Sequence, residues 1–271
     1  MLKLQLVAIG LTNENSNTLK QYLAKIKEII CSLNKEHITI LILPEYCWGS
    51  ISSIEFENSL SNIQALLGDN DYIVYGTYPW KKNGERYNMA FFGNNSGIIQ
   101  EIPKTRVLEG EIKRNQVVSG INPGVINVKD LKIAVIICAD IWDNILLNKI
   151  IKDQQADILL IPSFTVVPKG HSDYAKMQWY SLAIVRSREY LVPIAIADHM
   201  ENKNNSNYST GKSTLIVDPS LKHEKMRLYE DFLELPKNNV SILEIELDEI
   251  QRYQQYRINK GLYQKKSSKE S

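Results

Sequence analysis

The chain carries 271 residues, 44% of them hydrophobic and 23% charged, with a net charge of +1, an ordinary balance for a soluble globular protein that offers no attraction to nucleic acid or an anionic membrane. Its three cysteines, Cys31, Cys47 and Cys138, form no CxxC pair, which argues against a disulfide framework or a structural zinc site and for a reducing compartment, with the cytoplasm as default. No run approaches the roughly 18 apolar residues of a membrane span, and no repeat or linker breaks the chain, so one domain over residues 1–263 with a polar tail over 264–271 is expected.

Leu2 to Gly10 begins with apolar and polar residues in alternation and reads as the first strand. Lys3 and Gln5 interrupt it too early for a signal peptide. Asn15, Ser16 or Asn17 can cap the next helix, in which Leu19, Tyr22, Leu23, Ile26, Ile29, Ile30 and Leu33 make an apolar stripe. Ile38 to Leu43 is a buried strand that stops at Pro44-Glu45-Tyr46. A glutamate is ordinarily a surface acid, so its place just past an apolar strand is informative. Ser53 to Leu67 suits a short helix, and Tyr72–Tyr78 and Tyr87–Phe92 read as strands around an Asn83-Gly84 hairpin signal. Asn94–Gly97 turns into a short strand, Ile98–Gln100. Ile102 to Ile112 is charged and irregular and reads as a long loop, with Pro103 barring Lys104 from a central strand.

Asn122-Pro123-Gly124 leads into the strands Val125–Val128 and Lys132–Cys138. The second is an apolar run rich in isoleucine, as in a strand buried on both faces, and Asp143 to Ile151 after it has helical spacing. Cys138 therefore stands at the carboxyl end of a central strand, where open α/β sheets place their chemistry. A thiol there can attack a carbonyl while amides of the following turn receive the oxyanion; most free cysteines, however, are small buried hydrophobes. Asp157–Ile161 is a further strand, ending at Pro162-Ser163-Phe164, followed by a long helix from Ser172 to Tyr190 and a strand from Leu191 to Ala197. The stretch from Glu201 to Asn207 is a polar loop. Strands at Ser213–Val217 and Ser241–Leu247, a short helix from Asp248 and a Lys/Ser tail from Gln264 close the chain. Alternating strands and helices with a hairpin in each half imply mixed sheets covered by helices.

Three reactive groups, Glu45, Lys104 and Cys138, thus lie at strand ends or in the adjoining loop. Leu43-Pro44-Glu45, the segment from Asn88 through Gly97 to Lys104 with Gly110-Glu111, and Ile137-Cys138-Ala139-Asp140 resemble the motifs of the nitrilase superfamily of carbon–nitrogen hydrolases. Ala156–Ser163, Trp179 with Arg186–Glu189, Gly211–Ser213 and Val217–Pro219 are similar to its later segments. The resemblance covers nearly the whole chain. It implies an α/β fold, specifically a four-layer α-β-β-α sandwich with two mixed β-sheets. It also implies an amidase-type catalytic triad: Glu45 as base, Lys104 as electrostatic stabiliser and Cys138 as nucleophile, with Glu111 as an accessory glutamate preferred over Glu109 because it follows the glycine. Ala139, Trp142, Phe164 and Tyr46 are the candidate oxyanion and substrate contacts. No metal or organic cofactor is expected; the expected partners are a small-molecule amide and a second copy of the chain.

One departure is Trp142, which stands where many members carry an arginine. It weakens the expectation of a carboxylate-bearing substrate, and an aromatic at that spacing is more often core. A Cys–His pairing of Cys138 with His199 is the rival arrangement, but His37, His171, His199 and His223 share no common context. Neither GxSxG nor HExxH occurs, and no Walker or GxGxxG loop is present. Nitrile or N-carbamyl substrates, transfer of the acyl group to an amine, and a catalytically silent scaffold remain as alternatives.

Overall fold

The structure, a computed structural model, describes residues 3–11, 18–200, 208–210, 214–219 and 239–262. The candidate caps Asn15, Ser16 and Asn17, the polar loop 201–207, the Gly211–Ser213 segment and the tail from Gln264 lie outside the described residues.

One sheet holds β1 (Lys3–Ile9), β2 (Ile38–Ile42), β3 (Asp71–Lys82), β4 (Glu85–Asn94), β5 (Gly97–Pro103) and β13 (Val240–Glu246), in the order β13-β1-β2-β3-β4-β5. Strands β1, β2 and β3 run parallel and the remaining pairs antiparallel. The second sheet holds β6 (Val125–Val128), β7 (Leu131–Val135), β8 (Ile158–Pro162), β10 (Ile194–Ala197) and β12 (Leu215–Val217), in the order β12-β10-β8-β7-β6, with β7, β8 and β10 parallel. A two-stranded ribbon of β9 (Val166–Pro168) and β11 (Tyr208–Thr210), not foreseen from sequence, stands apart from both.

Period-two patterning stacks these layers, because successive strand residues face opposite sides. Leu4, Leu6 and Ala8 of β1 and Ile38, Ile40 and Ile42 of β2 share one buried cluster with Ile133 and Val135 of β7 and Ile158 and Leu160 of β8, so the two sheets pack face to face. The alternate residues Val7, Ile9, Leu41 and Ile73 turn to α1 (Thr18–Ser32) and α2 (Ser53–Gln64). On the other side, Ala134, Leu159, Ile161, Ile194 and Ile196 meet α4 (Asn144–Leu147), the π-helical turn Asn148–Asp153 that continues it, and α5 (Ser172–Tyr190). The expected α-β-β-α sandwich with two mixed sheets is the observed one.

Two expectations are corrected. The stretch 102–112 is not all loop: β5 runs to Pro103, tolerated because β5 is an edge strand, and Glu109–Asn115 forms a helix, α3. The final helix, α6 (Leu247–Asn259), is 13 residues long and not short.

One irregularity shapes the future site. Val74 pairs with Phe92 and Thr77 with Ala90, so β3 carries one extra residue there, a bulge. Gly76 occupies it at φ +70, where a Cβ would meet the Pro44 carbonyl oxygen at 2.2 Å and Cys47 Sγ at 2.5 Å. The chain just before Glu45 therefore rests directly on a glycine. Gly76→Ala is expected to lower the unfolding free energy by about 2–4 kcal/mol, from left-handed backbone strain plus overpacking. The exposed control Ile54→Ala (Ile54 is 68% exposed) is expected to stay within about 0.5 kcal/mol; paired denaturant melts check both.

Candidate active site

Glu45 follows β2 after Leu43 and Pro44. Leu43 extends the sheet by donating its N–H to the Val74 carbonyl, and the Glu45 N–H crosses to the Ser163 carbonyl at the end of β8 (3.2 Å), joining the two sheets. Tyr46 then takes a left-handed conformation, φ 54, held by its N–H on Thr77 Oγ1 (2.9 Å), which the β3 bulge delivers. Lys104 follows β5, its N–H on the Asn88 carbonyl and its own carbonyl accepting from Gly120 N–H. Cys138 begins a 3₁₀ turn, Cys138–Trp142, three residues past the end of β7, with φ 45. The β7 strand is thus shorter than expected, and the nucleophile candidate sits on a strained elbow.

Asp140 locks this elbow to the lysine loop. Its carboxylate accepts from Ile137 N–H on its own turn and from Thr105 N–H, Thr105 Oγ1–H and Arg106 N–H across the site. The sequence reading placed Asp140 in the motif without assigning it this work.

The side chains of Glu45, Lys104 and Glu111 meet in one network. Lys104 Nζ donates to Glu45 Oε1 and to Glu111 Oε2, each at 2.7 Å, with Lys104 1% and Glu45 2% exposed. Glu111, in the first turn of α3, also accepts from Leu108 N–H (3.0 Å) and the Tyr46 hydroxyl (2.9 Å). Glu109 instead pairs with the exposed Lys113, outside this network. Glu45 Oε2 accepts the Phe164 N–H at 2.9 Å, and both the Glu45 carboxylate and the Phe164 amide act on the pKa of the Cys138 thiol. Ala139 is buried in the turn; as an N-terminal residue of that turn its N–H has no partner within it. Four of the sequence candidates (Glu45, Lys104, Glu111 and Cys138) are thus brought together, with Tyr46, Phe164 and Ala139 around them. Trp142 is not: it is 42% exposed, neither core nor part of the hydrogen-bond network.

Burial dominates the electrostatics. It raises the Glu45 pKa above 4.5; Lys104 pulls it down and Glu111 pushes it up. Burial works against the Lys104 ammonium, but Glu45, Cys138 and Glu111 overcome it and hold its pKa above the ordinary lysine value. Glu111 is desolvated too, yet Lys104 keeps it below the usual carboxylate range. Burial, and then Glu45, push the Cys138 thiol well above its ordinary value, against Lys104. The resting state is therefore a protonated thiol beside a carboxylate of raised basicity, and a fixed ammonium.

His199 is not a partner of Cys138. It is fully buried, its Nε2 donates to the Glu45 backbone carbonyl at 2.6 Å and its ring stands edge-on to Phe164. Burial lowers its pKa to about 4, so it is neutral. Asp198 before it accepts from Thr165 N–H and His199 N–H, and burial raises its pKa to about 7. These residues at the end of β10, together with Asn88, are what sequence reasoning missed. Asn88 was read only as the first residue of the lysine segment, without a role of its own, and His199 was weighed as a rival partner for Cys138. Among the described residues no cluster of His, Cys, Asp and Glu could hold a metal ion.

With the geometry in place, comparison with known proteins is direct. Residues 6–255 match the carbon-nitrogen hydrolase family, and the chain belongs to it. No curated protein matches it by sequence. Among solved structures it is similar to Nit3 of Saccharomyces cerevisiae, a member of branch 10 of the nitrilase superfamily, with 16% identity and a TM-score of 0.71 over 98% of this chain and 97% of that one. It is also similar to an amidase from Nesterenkonia sp., at 14% identity and a TM-score of 0.66 over 95% of each chain. A third is XC1258 from Xanthomonas campestris, a CN-hydrolase superfamily protein with an arsenic adduct in its active site, at 15% identity and a TM-score of 0.67 over 97% of each chain. Among the described residues no helix is long and apolar enough to cross a membrane.

Asp198 generates a pH prediction. Its folded pKa of about 7 exceeds its ordinary 3.8, so between these values the folded state binds the extra proton and stability falls as pH rises. Asp198→Asn removes that slope. Between about pH 4 and 7 the variant's stability should change with pH more positively than wild type's, by up to about 1.4 kcal/mol per pH unit. Urea melts across that range check it, and parallel curves refute it.

Proposed function

We propose that the protein is an amidase that cleaves the carbon–nitrogen bond of a small amide through a thioester on Cys138. The observation that carries this reading is the continuous buried network that sets Glu45 between the Lys104 ammonium and the Phe164 amide, with Glu45, Lys104 and Phe164 all acting on the pKa of the Cys138 thiol. A thiol held above its ordinary pKa does not attack unaided, so it needs a base within hydrogen-bond reach, and Glu45 is that group. Glu45 takes the thiol proton as sulfur adds to the amide carbonyl carbon. Lys104 and the Ala139 N–H stabilise the oxyanion; loss of one such donor typically costs on the order of 10²–10³ in rate. Glu45 passes its proton to the leaving nitrogen, the carbon–nitrogen bond breaks and ammonia departs. Water, deprotonated by Glu45, then attacks the thioester, releasing the carboxylic acid and restoring the thiol. Glu111 holds Lys104 in place throughout. Free Cys31, Cys47 and Cys138 suit work in a reducing compartment.

The test is intact-protein mass and ammonia release with a panel of short primary amides, nitriles and N-carbamyl compounds. An acyl mass on Cys138 with ammonia released is expected, absent in Cys138→Ala and slowed by at least about 10² in Glu45→Gln. Transfer of the acyl group to an added amine in preference to water would make the protein an acyltransferase. No labelling by any compound, together with a Cys138 no more reactive than Cys31 toward a general thiol reagent, would sink the reading. The pH profile follows by sign. The base must be ionised and its pKa is raised by burial, so kcat/KM should fall with decreasing pH along a limb that lies above pH 4.5. Lys104, held above its ordinary value, sets no alkaline limb below 10.5. An acid limb at or below pH 4.5 contradicts the assignment of Glu45.

A further inference from the structure

Asn88 lies within β4, and its side chain reaches under the site. Its Nδ2 donates to Glu45 Oε1 at 2.7 Å and to Glu111 Oε1 at 2.9 Å. One amide group thus spends both its protons on the two carboxylates that Lys104 also bridges, closing a ring of four side chains. Asn88 is fully buried, and its Oδ1 has no hydrogen-bond partner. Only the donor half of the amide is used, and the donor half faces the carboxylates.

The ring has a consequence for Glu45. Oε1 already accepts from Lys104 Nζ and Asn88 Nδ2, which fills its in-plane lone pairs. Among the described residues Oε2 accepts only the Phe164 N–H, which leaves it a free lone pair. Lys104 alone could not impose this choice. An ammonium on a flexible stem is a point donor that can follow a rotating carboxylate, whereas a second donor fixed on a β-strand cannot.

We propose that Asn88 is a positioning residue that pins Glu45 Oε1 and holds Glu45 and Glu111 at a set separation, leaving Glu45 Oε2 as the oxygen that receives the Cys138 proton. The role rests on Glu45 being the base. Removing the Asn88 donor has two effects on that base: it frees the carboxylate to rotate away from the thiol, and it withdraws stabilisation from the ionised form, so more alkaline conditions are needed to ionise it.

The experiment needs no substrate. The second-order rate of Cys138 alkylation by iodoacetamide is followed by peptide mass across pH 5–9 in the full chain, in wild type, Asn88→Ala, Asn88→Ser and Glu45→Gln, with Cys31 as internal control. Asn88→Ala is expected to slow Cys138 alkylation at pH 7 by about tenfold or more, the worth of a hydrogen bond to a charged group, and to move the midpoint of the profile upward by about one pH unit. Asn88→Ser, whose hydroxyl can serve one carboxylate only, should fall between Asn88→Ala and wild type. Cys31 alkylation should not change. A packing role alone would lower the melting temperature without moving the midpoint. If Asn88→Ala loses its cooperative melt, Asn88→Ser carries the test. Asn88 profiles that overlie wild type while Glu45→Gln is slowed overturn this role and leave the base assignment standing. A Glu45→Gln profile equal to wild type overturns the base assignment and this role with it.

Discussion

One buried ammonium facing two carboxylates is the constraint on which the site depends. Lys104 and Glu45 are almost wholly out of water, and Glu111 nearly so. A charge so placed is tolerable only while its partners stay, and removing one member of such a group typically costs about 3–5 kcal/mol because the other is left buried and unpaired. The cluster has more negative groups than positive ones, so the excess falls on Glu45, the carboxylate that is buried deepest. Its raised pKa is the result of that imbalance together with desolvation. Glu111 is less deeply buried and has four donors, and it is the carboxylate that Lys104 holds ionised.

The sandwich provides the only convenient way to bring these groups together. Strand β2 ends toward Glu45, β7 toward Cys138, β8 toward Ser163 and Phe164, and β10 toward Asp198 and His199. Strands β7, β8 and β10 are parallel, so their carboxyl ends share one edge, and the Glu45–Ser163 and His199–Glu45 bonds bring the carboxyl end of β2 to it. Lys104 and Asn88 come from the antiparallel β4–β5 pair beside them. Cross-sheet bonds then fix the spacing: Glu45 N–H to the Ser163 carbonyl, His199 to the Glu45 carbonyl, and Asp140 to the Thr105-Arg106 backbone. The bonds joining the layers are largely backbone and neutral. The charges are left for the centre.

Much of this was legible in the sequence. The apolar runs at 38–43 and 132–137 are strands because β-branched residues fill both faces, and a lone acid or thiol directly after such a run has few structural reasons to be there. The readings that failed did so for identifiable causes. Helix α3 has no buried residue; without an apolar stripe, Glu109–Asn115 looks like charged loop, and it is the bonds of Glu111 that tie it to the rest of the fold. Trp142 was weighed as a substrate contact or as core; a 3₁₀ turn advances 120° per residue and carries it out of the core. Asn88 was hidden by its own strand: a polar residue within Tyr87–Phe92 reads as one step of alternation, and nothing local reveals that it faces two carboxylates rather than water.

The same charge count explains why glutamate, and not histidine, is suited to be the base here. In the proposed first step a proton moves from Cys138 to Glu45, turning a neutral thiol and a carboxylate into a thiolate and a neutral acid, so the total charge of the cluster does not change. Lys104 remains an ammonium within reach of the negative charge wherever it sits, first on Glu45, then on sulfur, then on the oxyanion. A histidine base would generate a second buried cation next to Lys104, and the neutral state of His199 nearby shows how strongly this interior resists one. Histidine serves where no charge is required, as a donor to the Glu45 carbonyl, and in the proposed reaction the proton goes to the residue whose protonated form is neutral.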